Sequence, residues 1–108
     1  MNILVTGGTG FIGSNLWRQL LPNHTVFFIL RKGTNTWRIK NLIDKCNIIF
    51  TDISDYKILS KDTAKIIGSI DVTVHLASYG VSTQKFDLDQ GVETNIHSTL
   101  NLLKLSHL

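Results

Sequence analysis

Three glycines close to the N-terminus, Gly7, Gly10 and Gly13, have the spacing needed to bind an anionic group through backbone N–H donors. A short apolar run at residues 3–5 precedes them and predicts a buried strand. Apolar residues then recur at helical spacing: Phe11, Ile12, Leu16 and Leu20. A strand that leads through a glycine turn into a helix leaves several N–H groups unpaired at the helix N-terminus. The pattern therefore predicts a site for the pyrophosphate of a dinucleotide.

Each glycine of this turn has its own predicted purpose. Gly7 permits the tight turn, Gly10 lets the backbone approach the phosphate, and Gly13 lets the helix pack closely on its strand. A purely structural turn is the alternative, because glycine also marks ordinary turns. A P-loop is excluded, since no Gly-Lys-Ser/Thr sequence follows the turn.

The elements that must position this turn alternate along the chain. Predicted strands lie at residues 3–5, 25–30, 47–51 and 71–76. Predicted helices begin at residue 11, cover 36–45 (short and weak), and run from just after Asp55 to about residue 67. A polar loop at 77–89 leads to a last predicted helix that begins near Gln90, with Val92, Ile96, Leu100 and Leu103 on one face. This alternation predicts an α/β fold, a Rossmann-like parallel sheet of four strands in the order 3-2-1-4 with helices on both faces, which is an incomplete doubly wound fold. The ligand crevice then lies between the first and fourth strands.

The glycine turn resembles that of a known family. Residues 6–13 read Thr-Gly-Gly-Thr-Gly-Phe-Ile-Gly and are similar to the Thr-Gly-x-x-Gly-x-x-Gly pattern of short-chain dehydrogenases/reductases. The similarity is greatest to the extended branch, the NAD(P)-dependent epimerases and dehydratases of nucleotide sugars. It implies that the dinucleotide is bound through Gly7, Thr9, Gly10, Phe11, Ile12 and Gly13.

Two later segments resemble the same family at single residues. Asp52 and Ile53 follow the third strand, where the family's Asp and the next apolar residue contact the adenine. A helix N-cap or a plain surface acid is an equal alternative for Asp52. Asn95 precedes a Ser-Thr-Leu-Asn-Leu-Leu run at residues 98–103 and is similar to the family's helix Asn before Gly/Ser-Thr-x-Asn-Leu-Leu, which supports the active-site architecture in relatives. By itself it would be an ordinary polar helix residue.

The end of the fourth strand carries a further resemblance. His75-Leu76-Ala77-Ser78 is similar to the family's His-Leu-Ala-Ala segment, with Ser78 in place of the last Ala. The resemblance implies that Leu76, Ala77 and Ser78 line the ribose and nicotinamide side of the cofactor. His75 invites a catalytic role, but a histidine that ends a buried strand is more often a hydrogen-bonded structural residue.

Two cations decide the predicted choice of cofactor. NAD-binding folds usually carry an acid about 20 residues past the glycine turn. This chain instead has Arg31 and Lys32 at the end of the second strand. A guanidinium can hold a phosphate through two hydrogen bonds. The pair therefore predicts NADP, with NAD as the second choice and a solvated loop cation as the structural alternative.

The family's catalytic pair is missing from this chain. Relatives transfer hydride with a Tyr-x-x-x-Lys pair, whereas Ser60 follows Tyr56 by four residues and Thr83 follows Tyr79 by four. No catalytic residue is therefore predicted. We interpret residues 1–108 as the N-terminal NAD(P)-binding Rossmann portion, with the catalytic and substrate-binding portion absent.

Length, charge and cysteine content restrict the function classes. A chain of 108 residues forms one domain at most. The N-terminal half is basic, but it lacks the aromatic residues between cations that a nucleic-acid groove needs, so no nucleic-acid partner is predicted. Cys46 stands alone, and no His/Cys spacing predicts a metal. Without a leader or an apolar run of membrane length, we expect a cytoplasmic protein with no membrane partner.

The sequence thus predicts the dinucleotide-binding portion of a nucleotide-sugar epimerase, dehydratase or reductase, without turnover on its own. A non-catalytic module that senses NADP, or a truncated product without function, are the alternatives. The nucleotide sugar would be the substrate of a longer protein. A homo-oligomer could form through the last helix or the unpaired edge of the fourth strand.

Overall fold

The computed structural model describes residues 1–80 and 85–107, and it contains one parallel sheet of four strands. The strands are β1 (Asn2–Thr6), β2 (Thr25–Leu30), β3 (Asn47–Phe50) and β4 (Val72–His75). Their order is β3-β2-β1-β4, as predicted. Every neighbouring pair is parallel, and in the register Val5 lies between Phe28 of β2 and Val74 of β4.

The central strands are buried on both faces, which explains why they read as continuous apolar runs. On one face, Trp17 of the first helix packs on Phe28, with ring centroids 3.6 Å apart. On the other face, Leu4 and Ile29 meet Leu59 and Leu102 from later helices. The helices therefore cover both faces of the sheet, as the alternating pattern predicted.

The helices differ from the prediction in detail. The first two are α1 (Phe11–Leu20) and α2 (Tyr56–Thr63), and a single 3-10 turn at Ile67–Ser69 follows α2. The predicted helix over 36–45 is wrong: two separate 3-10 turns occur there, at Trp37–Ile39 and Ile43–Lys45. Only Ile39 of these turns is buried, so a continuous helix would have had almost no apolar face to pack.

The last helical segment is continuous but not uniform. It consists of α3 (Leu88–Val92), a π-helical turn (Glu93–His97) and α4 (Ser98–Ser106), which follow one another directly. Asp87 caps its start by accepting a hydrogen bond from the Gln90 N–H at 3.0 Å. Residues 81–84 of the predicted polar loop and Leu108 lie outside the described residues.

The apolar row predicted on the last helix faces mainly outward. Ile96, Leu100 and Leu103 are each about half exposed. The side that packs on the sheet contains Ser98, Asn101, Leu102 and Leu105 instead. Among residues 1–80 and 85–107, no helix has the length and apolar content that would let it cross a bilayer.

Candidate functional site

The glycine turn after β1 leaves backbone donors free at the start of α1. Gly7 has a φ of +71°, and the Gly10 N–H closes the turn by donating to the Gly7 carbonyl at 3.1 Å. The first helical hydrogen bond runs from the Ser14 N–H to the Gly10 carbonyl at 2.9 Å. The N–H groups of residues 11–13 precede that bond and have no acceptor within the helix. The first turn of α1 also carries no acidic side chain, so its partial positive charge is not neutralised.

Close packing holds the turn in this shape. A Cβ on Gly13 would overlap the Gly7 carbonyl and the Gly8 Cα, so the helix start lies directly against the turn. A Cβ on Gly8 would overlap the Phe28 ring. The Trp17 indole N–H donates to the Gly8 carbonyl at 2.9 Å, and this side chain is fully buried. Gly13 therefore allows the start of α1 to lie in close contact with the turn that follows β1.

A cavity of about 680 Å³ opens in front of this turn. Its walls come from the carboxyl ends of β1, β2, β3 and β4, which meet at one edge of a parallel sheet. It lies at the topological switch point, where ligands bind in folds of this type. Its lining includes most of the predicted site residues: Gly7, Thr9, Gly10, Phe11, Ile12, Arg31, Asp52, Ile53, Leu76, Ala77 and Ser78.

Three predicted site residues lie outside this lining. Gly13 supports the turn from behind, as described above. Lys32 lines a neighbouring cavity of about 360 Å³, which it shares with Arg31 and Asp52. Asn95, on the π-helical turn, pairs with a loop backbone: its Oδ1 accepts from the Tyr79 N–H at 2.8 Å, and its Nδ2 donates to the Tyr79 carbonyl at 3.0 Å.

Four cations of the N-terminal half form two pairs with different surroundings. Arg31 and Lys32 are exposed side chains on the two cavities. Arg18 donates to the Arg38 carbonyl at 2.8 Å, and the Arg38 guanidinium lies 4.5 Å from the centre of the Trp37 ring. Of these four cations, only Arg31 and Lys32 line a cavity and can meet a ligand there. Arg18 and Arg38 instead contact residues of the 3-10 turn at Trp37–Ile39.

The wall after β3 is organised by two aspartates with different tasks. Asp55 is the N-cap of α2 and accepts from the N–H groups of Lys57 and Ile58 at 2.9 and 3.1 Å. Asp52 accepts from the N–H and hydroxyl of Ser54 at 2.9 and 2.7 Å, and it is exposed on the cavity. The helix N-cap alternative for Asp52 is therefore wrong.

The wall after β4 lies directly on the glycine turn. A Cβ on Gly7 would come 2.5 Å from both the Ala77 nitrogen and the Leu76 carbonyl carbon. The Ala77 N–H donates to the Thr6 hydroxyl at 3.3 Å, and the same hydroxyl lies 2.6 Å from His75 Nδ1. Burial lowers the pKa of His75 below its ordinary value. The half-buried ring therefore favours the neutral form and is held by hydrogen bonds.

Four residues that support the walls of the site were not predicted from the sequence. Gly8 and Trp17 hold the turn, and Asn101 and Thr99 reach from α4 to the segments that line the cavity. Each acts through a contact with a residue distant in the chain, so no local pattern indicates its task. No group of three or more potential metal-ligating side chains occurs within the part of the chain that the structure describes.

Comparison with known proteins identifies the family of the chain. The NAD dependent epimerase/dehydratase family matches residues 3–108. The chain is 33% identical to dTDP-glucose 4,6-dehydratase of Haemophilus influenzae, over 98% of this chain and 33% of that protein. It spans about a third of the length of the curated relatives that it matches.

Solved structures also superpose on the chain. The Bordetella bronchiseptica enzyme WbmG, solved in complex with NAD, gives a TM-score of 0.80 at 25% identity, over 98% of this chain and 33% of that one. UDP-glucuronic acid 4-epimerase from Bacillus cereus, also in complex with NAD, gives 0.75 at 35% identity, over 97% and 35%. The resemblance seen in the glycine turn is confirmed, and the chain belongs to the NAD dependent epimerase/dehydratase family.

Proposed function

We propose that residues 1–108 bind an NAD(P) dinucleotide in the larger cavity, as the cofactor-binding portion of an enzyme that acts on nucleotide sugars. The observation that carries the proposal is the glycine turn, which presents the N–H groups of Phe11 and Ile12 to the cavity with no acceptor within the helix. A pyrophosphate placed there would accept these hydrogen bonds and gain from the helix dipole.

The shape of the turn supports a ligand that lies close to the backbone. Glycine at positions 7 and 10 puts no side chain at these two points of the turn, and a Cβ built on Gly10 would have only the Gly7 carbonyl oxygen within 4 Å, at 3.3 Å. Phe11 and Ile12 are 74% and 67% exposed at the cavity, which is costly for two large apolar side chains in water. A dinucleotide in the cavity would cover part of that surface.

The two cations after β2 support NADP as the preferred cofactor. Arg31 lines both cavities and Lys32 lines the smaller one, so a 2′-phosphate near the end of β2 would meet two positive charges. Asp52 borders both cavities as well and would oppose part of this attraction. Arg31 contributes most to the preference for NADP, since a guanidinium holds phosphate through two hydrogen bonds.

The substrate class rests on the relatives. Their names specify dTDP-glucose and UDP-glucuronic acid, and the Bordetella enzyme is also known in complex with NAD and UDP. We propose a nucleotide sugar as the substrate of the whole protein. No proton transfer is assigned to residues 1–108, because neither Tyr56 nor Tyr79 has a lysine four residues later.

Parallel calorimetric titrations with NAD and NADP test the proposal. The wild-type chain should bind both, with NADP the tighter. Arg31→Asp should weaken NADP at least tenfold more than NAD, since a charged hydrogen bond contributes about 1.5–3 kcal/mol. Lys40→Asp is the matched control: it changes the net charge equally, but Lys40 lines neither cavity. Equal losses for both cofactors would contradict the 2′-phosphate assignment, and absence of binding to either would contradict the proposed function.

A further inference from the structure

His75 lies at the end of β4 between two hydroxyl groups. Its Nδ1 is 2.6 Å from the Thr6 hydroxyl at the end of β1, and its Nε2 is 3.0 Å from the Thr99 hydroxyl on α4. The ring therefore joins two strands of the sheet to the helix that covers them. It does not line either cavity.

The outer hydrogen bonds determine which group donates and which accepts in this series of hydrogen bonds. The Thr99 hydroxyl donates to the Asn95 carbonyl at 2.8 Å, so toward His75 it can only accept, and Nε2 must carry the ring proton. In a neutral imidazole, Nδ1 is then an acceptor for the Thr6 hydroxyl proton. The Thr6 oxygen in turn accepts from the Ala77 N–H. Four hydrogen bonds thus run in one direction, from Ala77 through Thr6, His75 and Thr99 to Asn95.

Ala77, where this series of hydrogen bonds begins, belongs to a wall of the proposed cofactor site. The peptide between Leu76 and Ala77 lies so close to Gly7 that no side chain would fit between them. A shift of this peptide would therefore displace the glycine turn or open the cavity beside it. The Ala77 N–H donates to the Thr6 hydroxyl and the Leu76 N–H donates to the Thr6 carbonyl at 3.1 Å, so the side chain and the backbone of Thr6 both hold this segment.

We propose that His75 is a positioning residue: neutral and protonated on Nε2, it fixes the Leu76–Ala77 peptide against the glycine turn through Thr6, so that protonation of His75 weakens dinucleotide binding. The inference rests on the proposed function, because its effect on a ligand needs the dinucleotide in the cavity. His75 makes no contact with that ligand and acts only through Thr6.

Protonation of His75 would break this series of hydrogen bonds at the buried Thr6 hydroxyl. A second ring proton turns Nδ1 from an acceptor into a donor, and the Thr6 hydroxyl proton, on a residue only 1% exposed, loses its acceptor. Both ring partners are uncharged, β1 carries no titratable side chain, and burial is the cause that lowers the pKa. On neighbouring elements, Glu93 and His97 pair with each other at 2.9 Å, and Lys104 lies over the Tyr56 ring.

Nuclear magnetic resonance of the chain without cofactor tests the hydrogen-bond arrangement. Imidazole ¹⁵N shifts should show the Nε2–H tautomer of His75 and a pKa below 6.5. The Ala77 amide shift should change with the same midpoint as the ring. An Nδ1–H tautomer, or an Ala77 amide that ignores the titration of His75, would overturn the proposal.

Titrations with NAD between pH 5 and 8 test the functional consequence. If only the neutral form binds, the apparent Kd rises about tenfold for each pH unit below the His75 pKa. His75→Asn keeps an acceptor near Thr6 but does not titrate, so its Kd should be flat over the same range. His107→Asn, an exposed histidine on neither cavity, should keep the wild-type profile.

Variants at Thr99 guard against loss of folding in the His75 variant. Thr99→Val removes the acceptor for Nε2–H and should weaken NAD binding several-fold at pH 7.5, whereas Thr99→Ser should restore it. A wild-type Kd that is flat with pH would overturn the proposal. If neither the wild type nor any variant binds NAD at any pH, while the His75 ring and the Ala77 amide titrate together, the proposed function fails. The positioning of the peptide by His75 would still stand.

Discussion

The side-chain amide of Asn101 donates two hydrogen bonds, to the carbonyl oxygens of Ile53 at 3.0 Å and Ser54 at 2.8 Å. Ile53 and Ser54 line the proposed cofactor cavity, and Asn101 lies on α4, on the far side of these residues. The helix thus holds the cavity wall after β3 through one buried amide. The same helix holds the wall after β4 through Thr99 and His75.

Replacing Asn101 should destabilise the protein substantially, because one side chain donates to two carbonyl groups. Asn101 is 8% exposed, and Asn101→Ala leaves two carbonyl groups without their donors. We expect the free energy of unfolding to fall by about 2–4 kcal/mol, measured by urea denaturation. Asn15→Ala is the matched control, because Asn15 is an exposed helical residue that bonds only to its own helix. Equal effects of the two changes would contradict the role of Asn101.

Gly13 and Gly68 offer a test of the packing behind the turn. Gly13→Ala places a methyl group against Gly7 and Gly8, and we expect a loss of about 1–3 kcal/mol in unfolding free energy. A Cβ on Gly68 meets nothing within 4 Å, so Gly68→Ala should change stability by less than about 0.5 kcal/mol. Urea titrations of both variants decide the matter. A harmless Gly13→Ala would show that the turn and α1 are not in the close contact described.

The two tryptophans, Trp17 and Trp37, differ in burial and should therefore differ in their contribution to stability. Trp17→Phe removes the hydrogen bond to the Gly8 carbonyl and leaves space in the core, so we expect a loss of about 1.5–4 kcal/mol. Trp37 is 64% exposed, and Trp37→Phe should cost less than about 1 kcal/mol. Thermal unfolding followed by circular dichroism compares them. A larger loss for Trp37→Phe would mean that Trp17 does not anchor the turn.

Cys46 should react slowly because its thiol is partly buried. Burial raises the pKa of Cys46 above 9.0, with a smaller rise from Asp44, against a lowering by the Lys45 backbone hydrogen bond. Less thiolate is therefore present at pH 8 than in the unfolded chain, and alkylation by iodoacetamide should be slower than in urea. Since the folded-state pKa is the higher one, this group's contribution to stability is present below pH 9.0 and is lost as pH rises above it. Equal rates in the folded and unfolded chain would contradict the burial.

The sheet could be predicted from sequence because its signals are local. The apolar runs of β1 and β2 and the alternation with helices determine a parallel sheet, and right-handed crossovers leave few strand orders. The glycine turn could also be predicted, because the glycines that its backbone needs lie close together in the sequence. The family resemblance, and not a local backbone requirement, led to Asp52, Ile53 and residues 76–78, which line the same cavity.

The features that sequence missed depend on distant partners. Asn101 and Ser98 occupy the packed side of α4, where an apolar pattern would have been expected, because Asn101 satisfies carbonyl groups 47 and 48 residues away. The exposed row of Ile96, Leu100 and Leu103 was therefore the more visible one in the sequence. The helix predicted over 36–45 failed because one buried residue does not form an amphipathic face.

Amide chemical-shift mapping with NAD tests the central claim most directly. On titration of the ¹⁵N-labelled chain, the amides of residues 7–13, Arg31, Ile53 and 76–78 should shift along one saturable curve. Those of Lys57 and Lys61, on the exposed side of α2, should not move. This pattern would place the dinucleotide on the glycine turn. Saturable shifts confined to other surfaces, or none in a chain whose spectrum is folded, would contradict the account.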